Sequence, residues 1–369
     1  MNKAAAFLEE SAIRAQNDRL RLFDRYLDTV LHAANIVRGS PALLKETVSL
    51  ADQMEEREKF LKELPALTLP EAPAGEDTFA YDMLPLLAML PQLDREVERS
   101  RAYGIPEDVI EGSLKNPEEC LRVFEERFGR PGMNMEYFGW SQGFLDARIL
   151  RIGRLEFERG TIQGCTALFK NSSGAYRLMP VSGRFDRSGD PVRDGESAFT
   201  ADFIDTNTYA QGYAVNRMGR VTRTRIMLCK PGWALIARPG DDAINVHIPA
   251  GKGLNEEACE TAYRRARDIF AACFPDFHPR SFVCWSWLMD PTLSKLLPKD
   301  AGITRFQRSY LAAPTFPEGK AVFQYVFPKP FASYEELPED TALQKKIKAI
   351  YLAGGMIRGM IGFRPFREE

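Results

Sequence analysis

A histidine in the second half of the chain has the side chain best suited to proton transfer. His247 lies in the predicted strand 243–248, whose two-residue period places it on the face of Asn245. The opposite face carries the apolar side chains of Ile244, Val246 and Ile248. An imidazole titrates near neutral pH, so His247 is a candidate general base. The alternative is a histidine hydrogen-bonded within the core.

Two glutamates form a second candidate group. Glu156 and Glu158 share one face of the predicted strand 149–158, from which they can transfer protons through water. The alternative is that both carboxylates pair with neighbours such as Arg154 on a solvated face.

The segment from Pro249 to Leu254 joins the strand of His247 to a predicted amphipathic helix. A glycine-rich turn before a helix presents unpaired N–H groups and the positive end of the helix dipole, which suits a phosphate. Gly251 and Gly253 supply the glycines, and Lys252 adds a positive charge. The alternative is an ordinary strand-to-helix connection, in which glycines are common.

The predicted strand 281–289 carries a thiol and a hydroxyl on one face, Cys284 and Ser286. Its large side chains, including Trp285, lie on the other face and are expected in the core. A nucleophilic pair of Cys284 and His247 would give a ping-pong mechanism. The alternative is an inert, buried thiol.

The cysteines and histidines do not predict a metal site. Cys259 and Cys273 are separated on one predicted helix by about 21 Å, at 1.5 Å rise per residue, so they cannot share an ion. The sequence also lacks the Gly-x-Ser-x-Gly motif of hydrolases and the phosphate-loop and dinucleotide fingerprints.

Composition excludes several classes of protein. The chain has 369 residues, 44% of them hydrophobic and 27% charged, with a formal net charge of -2, as is typical of a globular protein. No basic stripe interleaved with aromatics predicts nucleic-acid binding, and no apolar run is long enough to span a membrane. Six cysteines without an export signal indicate free thiols and a cytoplasmic location.

The pattern along the chain predicts an α+β protein of three parts. Residues 1–130 have helical periodicity throughout and form an all-helical domain. Residues 131–335 read as strands and turns around the amphipathic helix. Residues 336–369 form a C-terminal helix that docks on the core.

Several element boundaries follow from these patterns. In the helical part we expect one long early helix with a stripe from Leu20 to Val37, a helix over 43–61, an apolar helix ended by Pro91, and a helix with Asn116 as its N-cap. In the rest of the chain we expect strand 149–158 to pair with 176–181, and a hairpin over 213–228. Between them, residues 182–206 are predicted to form a solvated, mobile loop. Strands are predicted over 303–311 and 321–327, and a helix over 342–358.

Four segments carry a family resemblance: Ile152-Gly153-Arg154-Leu155-Glu156-Phe157, Val246-His247-Ile248-Pro249, Ser286-Trp287-Leu288-Met289-Asp290-Pro291 and Phe306-Gln307. Together they resemble bacterial proteins with a helical N-acyltransferase N-terminal domain and a GNAT-like C-terminal domain. The resemblance spans most of the chain. It implies a mixed α/β domain with a twisted, mostly antiparallel sheet after the helical domain.

The resemblance also implies a CoA site. In GNAT enzymes acyl-CoA lies where the fourth strand separates from the fifth, which here implies a groove between 243–248 and 281–289. The pyrophosphate lies on the loop that follows the fourth strand. The implied contacts are Val246, Ile248, Gly251, Lys252, Gly253 and Leu254. The usual loop, Gln/Arg-x-x-Gly-x-Gly/Ala, is replaced by Pro-Ala-Gly-Lys-Gly-Leu.

The activity that the resemblance implies is direct acyl transfer from acetyl-CoA or another acyl-CoA to a small-molecule or peptide amine. His247 would be the base, with Glu156 and Glu158 acting through water, Ser286 near the reacting group, and Tyr310 as the acid towards the leaving thiolate. No metal, nucleic acid or membrane is implied, and the oligomeric state stays open. The alternative is a catalytically silent GNAT-like module that binds a ligand or protein, which the missing loop consensus favours.

Overall fold

The structure is a computed structural model that describes residues 3–75, 77–192, 198–249, 253–316, 319–327 and 329–366. The chain divides into two compact units. The first contains the residues up to Gly153 together with Ala272–Phe274, and the second contains the remainder. The structure confirms the predicted fold class, a helical N-terminal region followed by a mixed region whose strand pairs are mostly antiparallel.

The first unit is helical, with 3-10 turns at Lys3–Leu8 and Leu64–Ala66 and one short strand, β1 (Ile149–Ile152). Its helices are α1 (Glu10–Leu20), α2 (Leu27–Gly39), α3 (Pro41–Glu55), α4 (Arg57–Glu63), α5 (Phe79–Ala102), α6 (Glu107–Leu114), α7 (Asn116–Phe128) and α8 (Met135–Leu145). The apolar run Met83–Leu90, which directly precedes Pro91, is fully buried in α5. The side chains around it form one hydrophobic core.

Four helix predictions in this unit are wrong in detail. The long early helix is two helices, because Arg21 adopts a left-handed conformation (φ 54°) and its N–H donates to the Asn17 carbonyl. The helix over 43–61 is interrupted at Glu56, which lies between α3 and α4. Helix α5 continues through Pro91, and Asn116 lies inside α7 rather than capping it.

A further difference concerns the segment after Pro131. Strands were expected there, but the chain first forms α8. The Asn134 side chain caps this helix by accepting a hydrogen bond from the N–H of Tyr137 in its first turn. The 11-residue helix is mostly apolar and aromatic, so its periodicity is weak in the sequence.

The second unit contains most of the strands. They are β2 (Leu155–Thr161), β3 (Thr166–Asn171), β4 (Tyr176–Pro180), β5 (Arg184–Phe185), β6 (Phe199–Thr200), β7 (Ile204–Asp205), β8 (Tyr209–Val215), β9 (Val221–Cys229), β10 (Trp233–Ala237), β11 (Asp242–His247), β12 (Ser281–Ser286), β13 (Leu311–Ala313) and β14 (Met360–Pro365). Its helices are α9 (Glu256–Cys273), α10 (Leu293–Leu296), α11 (Gly302–Arg308), α12 (Ala321–Val326) and α13 (Ala342–Leu352), with 3-10 turns at Trp287–Met289 and Tyr334–Glu336.

The main sheet positions the candidate site. Within the second unit its strands follow the order β2-β11-β12-β14-β13. Strand β11 is antiparallel to β2 and parallel to β12, and β14 is antiparallel to both β12 and β13. A second sheet has the order β10-β3-β4, and β8 and β9 form the predicted hairpin.

The two faces of the main sheet are covered differently. On one face Tyr263 of α9 contacts the rings of Phe157 and Phe282. On the other face, apolar side chains of the main sheet pack with those of the second sheet; this cluster includes Ala243, Val283, Ile361, Phe363, Leu168, Leu178 and Ala237. Residues of one strand therefore point either towards α9 or towards the second sheet.

Several strand predictions in this unit are corrected. The strand over 149–158 is divided at Gly153 (φ 60°), and 176–180 pairs with β3 rather than with β2. Residues 302–308 and 321–326 are helical, since short apolar runs fit either period. The C-terminal helix ends at Leu352, before β14.

The loop predicted over 182–206 contains structure. Three two-residue strands lie in it, and Asp190 accepts hydrogen bonds from Arg220 and Arg358. Residues 193–197 lie outside the described ranges.

Candidate functional site

Strands β11 and β12 part after a short parallel pairing. Among the described residues this pairing joins Ile244 with Phe282 and Asn245 with Val283. Beyond it, Val246 and His247 continue to pair with β2, and the end of β12 continues to pair with β14. The two strands separate as the predicted groove requires.

An imidazole and a carboxylate lie together beside this separation. The Nε2 atom of His247 is 2.8 Å from Oε2 of Glu158. His247 also lies directly across the β2-β11 ladder from Glu156. Facing residues of an antiparallel pair point to the same side, so all three side chains share the face opposite α9. The structure thus brings together three of the predicted catalytic residues.

The burial of these groups argues against the solvated alternative. The side chain of Glu158 is 14% exposed and that of His247 is 31% exposed. Glu156 is buried. A carboxylate bonded to an imidazole fixes its orientation and stabilises its protonated form. The pair is chemically competent to accept a proton from a substrate in the separation between the strands.

Cys284 and Ser286 lie on the opposite face of the sheet. They alternate with Val283, which points to the second sheet, and so point to the α9 side. The predicted nucleophilic pair of Cys284 and His247 is therefore wrong. Burial also raises the pKa of the Cys284 thiol to about 12, which suppresses the thiolate.

The Ser286 hydroxyl has a local structural partner. Its Oγ accepts a hydrogen bond of 3.1 Å from the Leu288 N–H, and so caps the 3-10 turn that follows β12. This bond leaves the hydroxyl proton available to a second acceptor.

Tyr310 is also on the α9 side, in a buried pair with Tyr263. Their hydroxyl oxygens are 2.6 Å apart, and the Arg364 guanidinium lies 4.1 Å from the centre of the Tyr263 ring. Burial raises the pKa of both phenols well above the ordinary value. Both therefore stay protonated at neutral pH, and one of the two hydroxyls donates to the other.

The predicted phosphate loop is anchored by Arg154. Its Nη1 donates to the Pro249 carbonyl at 3.0 Å and its Nε to the Gly253 carbonyl at 3.4 Å. Gly251 and Lys252 lie outside the described residues, between these two anchors. Arg154 thus holds both ends of the segment in which a phosphate was predicted to bind.

The remaining predicted CoA contacts line the loop and the strand before it. Val246 is buried opposite Phe157 on the α9 side, and Ile248 is half-buried directly after the strand. A Cβ placed on Gly253 would meet no described residue within 4 Å. A Cβ on Gly302 would lie 2.5 Å from the Leu254 carbonyl oxygen, so the loop end packs closely on α11. No described side chain or backbone atom fills the space beside Gly253.

Three features of this site escaped the sequence analysis. Arg154 was assigned to a solvated face, although the glycine before it signals a turn. Tyr263 was not singled out within the predicted amphipathic helix. Trp285 was placed in the core, but the residue is 58% exposed. For Trp285, strand alternation predicted the correct face of the sheet but not how much of that residue the second sheet would leave exposed.

The described residues offer neither a metal site nor a membrane-spanning helix. Within the described ranges, no group of three or more histidine, cysteine, aspartate or glutamate side chains is arranged to hold a metal ion. No helix in the described part of the chain combines the length and apolarity needed to cross a membrane.

Known proteins match this chain both in sequence family and in fold. Residues 149–364 match the family model of the GNAT-like C-terminal domain. A crystal structure of an acyltransferase in complex with decanoyl-CoA superposes with a TM-score of 0.62 at 18% identity, covering 97% of this chain and 88% of that one. No match was found among curated proteins.

Two further solved structures share the fold at lower similarity. Both have a TM-score of 0.54 at 16% identity and cover 96% of this chain and 99% of theirs. One is an acyltransferase mutant in complex with octanoyl-CoA, and the other is an acyltransferase in complex with decanoyl-CoA and teicoplanin.

Proposed function

Because this chain belongs to the family with a GNAT-like C-terminal domain, we propose that it is a CoA-dependent N-acyltransferase. It moves an acyl group from acyl-CoA to the amine of a small molecule or peptide by direct transfer. The observation that carries this proposal is the His247–Glu158 pair, which lies where β11 parts from β12. The acyl-CoA complexes of proteins with the same fold support it.

In the proposed reaction His247 removes a proton from the acceptor ammonium. The free nitrogen lone pair then attacks the thioester carbonyl, so that a C–N bond forms and the C–S bond breaks. Glu158 orients the imidazole and stabilises the imidazolium, and Glu156 holds a water molecule on the same face. The second proton of the amine leaves with this water.

A thioester lying in the separation between the strands is accessible from both faces of the sheet. The amine approaches from the His247 face, whereas Tyr310 and Ser286 lie on the α9 face. There the Tyr310 hydroxyl donates a hydrogen bond to the leaving thiolate, which takes its proton from solvent. The two faces thus separate the attacking group from the leaving group.

The CoA pyrophosphate binds at the segment that Arg154 anchors. Backbone N–H groups from Gly251 to Leu254 and the charge of Lys252 bind the phosphates, while Val246 and Ile248 contact the pantetheine arm. The neighbours with bound decanoyl-CoA and octanoyl-CoA favour a medium-length acyl chain, and the neighbour with teicoplanin favours a small-molecule acceptor. A CoA substrate is consistent with a cytoplasmic location.

The alternative is a catalytically silent module, which the unusual loop sequence favours. Incubation of the purified protein with decanoyl-CoA or acetyl-CoA and a panel of primary amines separates the two. N-acylated product, detected by mass spectrometry together with released CoA, is the expected result. Binding of acyl-CoA with no product from any amine would overturn the catalytic proposal and leave the binding module.

A further inference from the structure

Trp285 is exposed at the middle of the main sheet. The strand order places β12 between β11 and β14, so Trp285 is on a central strand rather than at an edge. The residue is nevertheless 58% exposed, while Val283, two residues earlier on the same face, is buried against the second sheet. At the end of β12, where that strand parts from β11, this exposed indole offers an aromatic surface that a ligand can contact.

Trp285 lies across the separation of the strands from His247, the proposed proton acceptor. If the parallel register of Asn245 with Val283 continued by two residues, His247 would face Trp285. The strands part before this point, so the two side chains flank the separation from either side. They also point to the same face, which carries Glu156 and Glu158.

We propose that Trp285 is a specificity residue that binds the acceptor in its protonated form, as a primary ammonium. An indole face attracts a cation through its quadrupole, and nearby carboxylates add the complementary charge. The ammonium then lies next to the imidazole that removes its proton. This inference rests on the proposed function, because it identifies the bound amine with the acceptor.

A binding measurement tests the inference without requiring turnover. The indole N–H resonance of Trp285 is assigned in the ¹⁵N spectrum of the full chain by its loss in Trp285→Phe. Hexylamine, protonated at pH 7, is titrated against 1-hexanol, which has the same chain without the charge. We expect the resonance to shift with an affinity about two- to thirtyfold higher for the ammonium, the range of a cation–π contact.

Kinetics provide the second measurement. Trp285→Leu should raise KM for the amine by about two- to thirtyfold with kcat changed less than twofold, and Trp285→Phe should recover part of the loss. Tyr325→Leu, at an aromatic residue exposed on α12, is the matched control and should leave both constants unchanged.

The outcomes distinguish the two proposals. Equal shifts with hexylamine and hexanol, or none, overturn ammonium recognition even if acyl transfer is observed. A selective shift with hexylamine in a protein that transfers no acyl group supports the amine site and overturns the catalytic proposal instead.

Discussion

At the scale of single residues, the face of the sheet decides which residue types can act together. His247, Cys284 and Tyr310 each have suitable chemistry in the sequence, yet only His247 shares a face with the glutamates. Burial then determines the protonation states of Cys284 and Tyr310. It suppresses the Cys284 thiolate and keeps the Tyr310 phenol protonated, so a direct transfer with a His247 base fits the site better than a thiol nucleophile.

The first prediction concerns the base. His247→Gln keeps the approximate size and one hydrogen bond to Glu158 but cannot accept the proton. We expect kcat to fall by about 10² to 10⁴, the usual contribution of a general base, with a change in Tm of only a few degrees. Steady-state assays of CoA release and thermal melts of the same preparations measure both. If an active wild type loses none of its rate in the variant, His247 has only a structural role.

Strand alternation predicted much of this site from the sequence. It put His247 and Asn245 on one face of 243–248 and Glu156 and Glu158 on one face of their strand, as observed. The sequence did not show that these are neighbouring strands on the same side, because register between distant segments depends on the whole sheet. The sequence likewise did not show that Arg154 anchors the loop between Pro249 and Gly253.

At the scale of elements, the helical region carries a buried ionisable group. Glu96 of α5 is 4% exposed, and burial raises its pKa to about 7 although Arg99 and Arg57 oppose the shift. Arg99 lies 3.1 Å from its carboxylate. The neutral carboxyl therefore stabilises the folded unit below the unfolded pKa near 4.5, and this stability is lost as the pH rises through 7.

Our second prediction is that Glu96→Gln is more stable than the wild type at pH 8 and equal to it near pH 4.5. The Glu96 carboxyl binds its proton more tightly in the folded state than in the unfolded state. The pKa shift corresponds to a loss on the order of 3 kcal/mol in the free energy of unfolding of the wild type between pH 4.5 and pH 8, which Glu96→Gln avoids. Urea denaturation at several pH values measures it. Glu107→Gln is the control, since exposed Glu107 bonds Arg101 and its pKa is lowered. A pH-independent difference for Glu96→Gln would contradict the prediction.

The strand that the sequence analysis missed is tied to the rest of the sheet by a buried ion pair. Just before β14, the backbone N–H and guanidinium of Arg358 donate to Asp290, which is fully buried. Burial alone would raise the pKa of Asp290, but hydrogen bonds from Arg358 and Thr292 lower it overall. Arg358 also bonds Asp190 and the Met218 carbonyl, so one guanidinium joins three segments.

The third prediction follows from this pair. Asp290→Asn leaves the buried Arg358 charge without its main partner, and we expect a loss of about 3 kcal/mol in the free energy of unfolding. Asp202→Asn removes the partner of exposed Arg225 and should cost less than about 1 kcal/mol. Urea denaturation of the two variants beside the wild type gives the comparison. Similar losses in both would show that burial does not strengthen the Asp290 pair.

Helical and strand predictions failed where the pattern was short. Residues 302–308 and 321–326 have too few positions to separate the two periods, and tertiary packing makes them helical. Gly354 and Gly355 were a usable stop signal for the C-terminal helix, since Gly354 has φ 76° directly after it. The hairpin of β8 and β9 was predicted correctly because Asn216 and Gly219 define its turn.

At the scale of the whole molecule, the family-model match over residues 149–364 establishes the family, and the site must establish the chemistry. The net charge of -2 gives no long-range attraction for a polyanion, so in the proposed function the anchored loop must supply the recognition of CoA. Gly253 offers a direct probe, because a Cβ there would meet no described residue within 4 Å. A side chain there can therefore block a ligand without straining the protein.

The fourth prediction is that acyl-CoA stabilises the wild type and not Gly253→Val. At about a hundred times its dissociation constant, a ligand that binds only the folded protein adds roughly 2.7 kcal/mol to the free energy of unfolding. In Gly253→Val the added methyl groups occupy the space of the pyrophosphate, so the gain disappears while the unliganded Tm stays near that of the wild type. Lys252→Ala should reduce the gain by an amount that shrinks as salt screens the charge.

Thermal melts with decanoyl-CoA, acetyl-CoA and free adenosine measure these gains. Gly139→Val is the matched control, because a Cβ at Gly139 in α8 also meets no atom within 4 Å. That variant should retain the full gain, since the helical region does not bind the phosphates in this mechanism. An equal gain in the wild type and Gly253→Val would remove the pyrophosphate from this loop. No gain with any thioester at millimolar concentration would exclude acyl-CoA as the ligand.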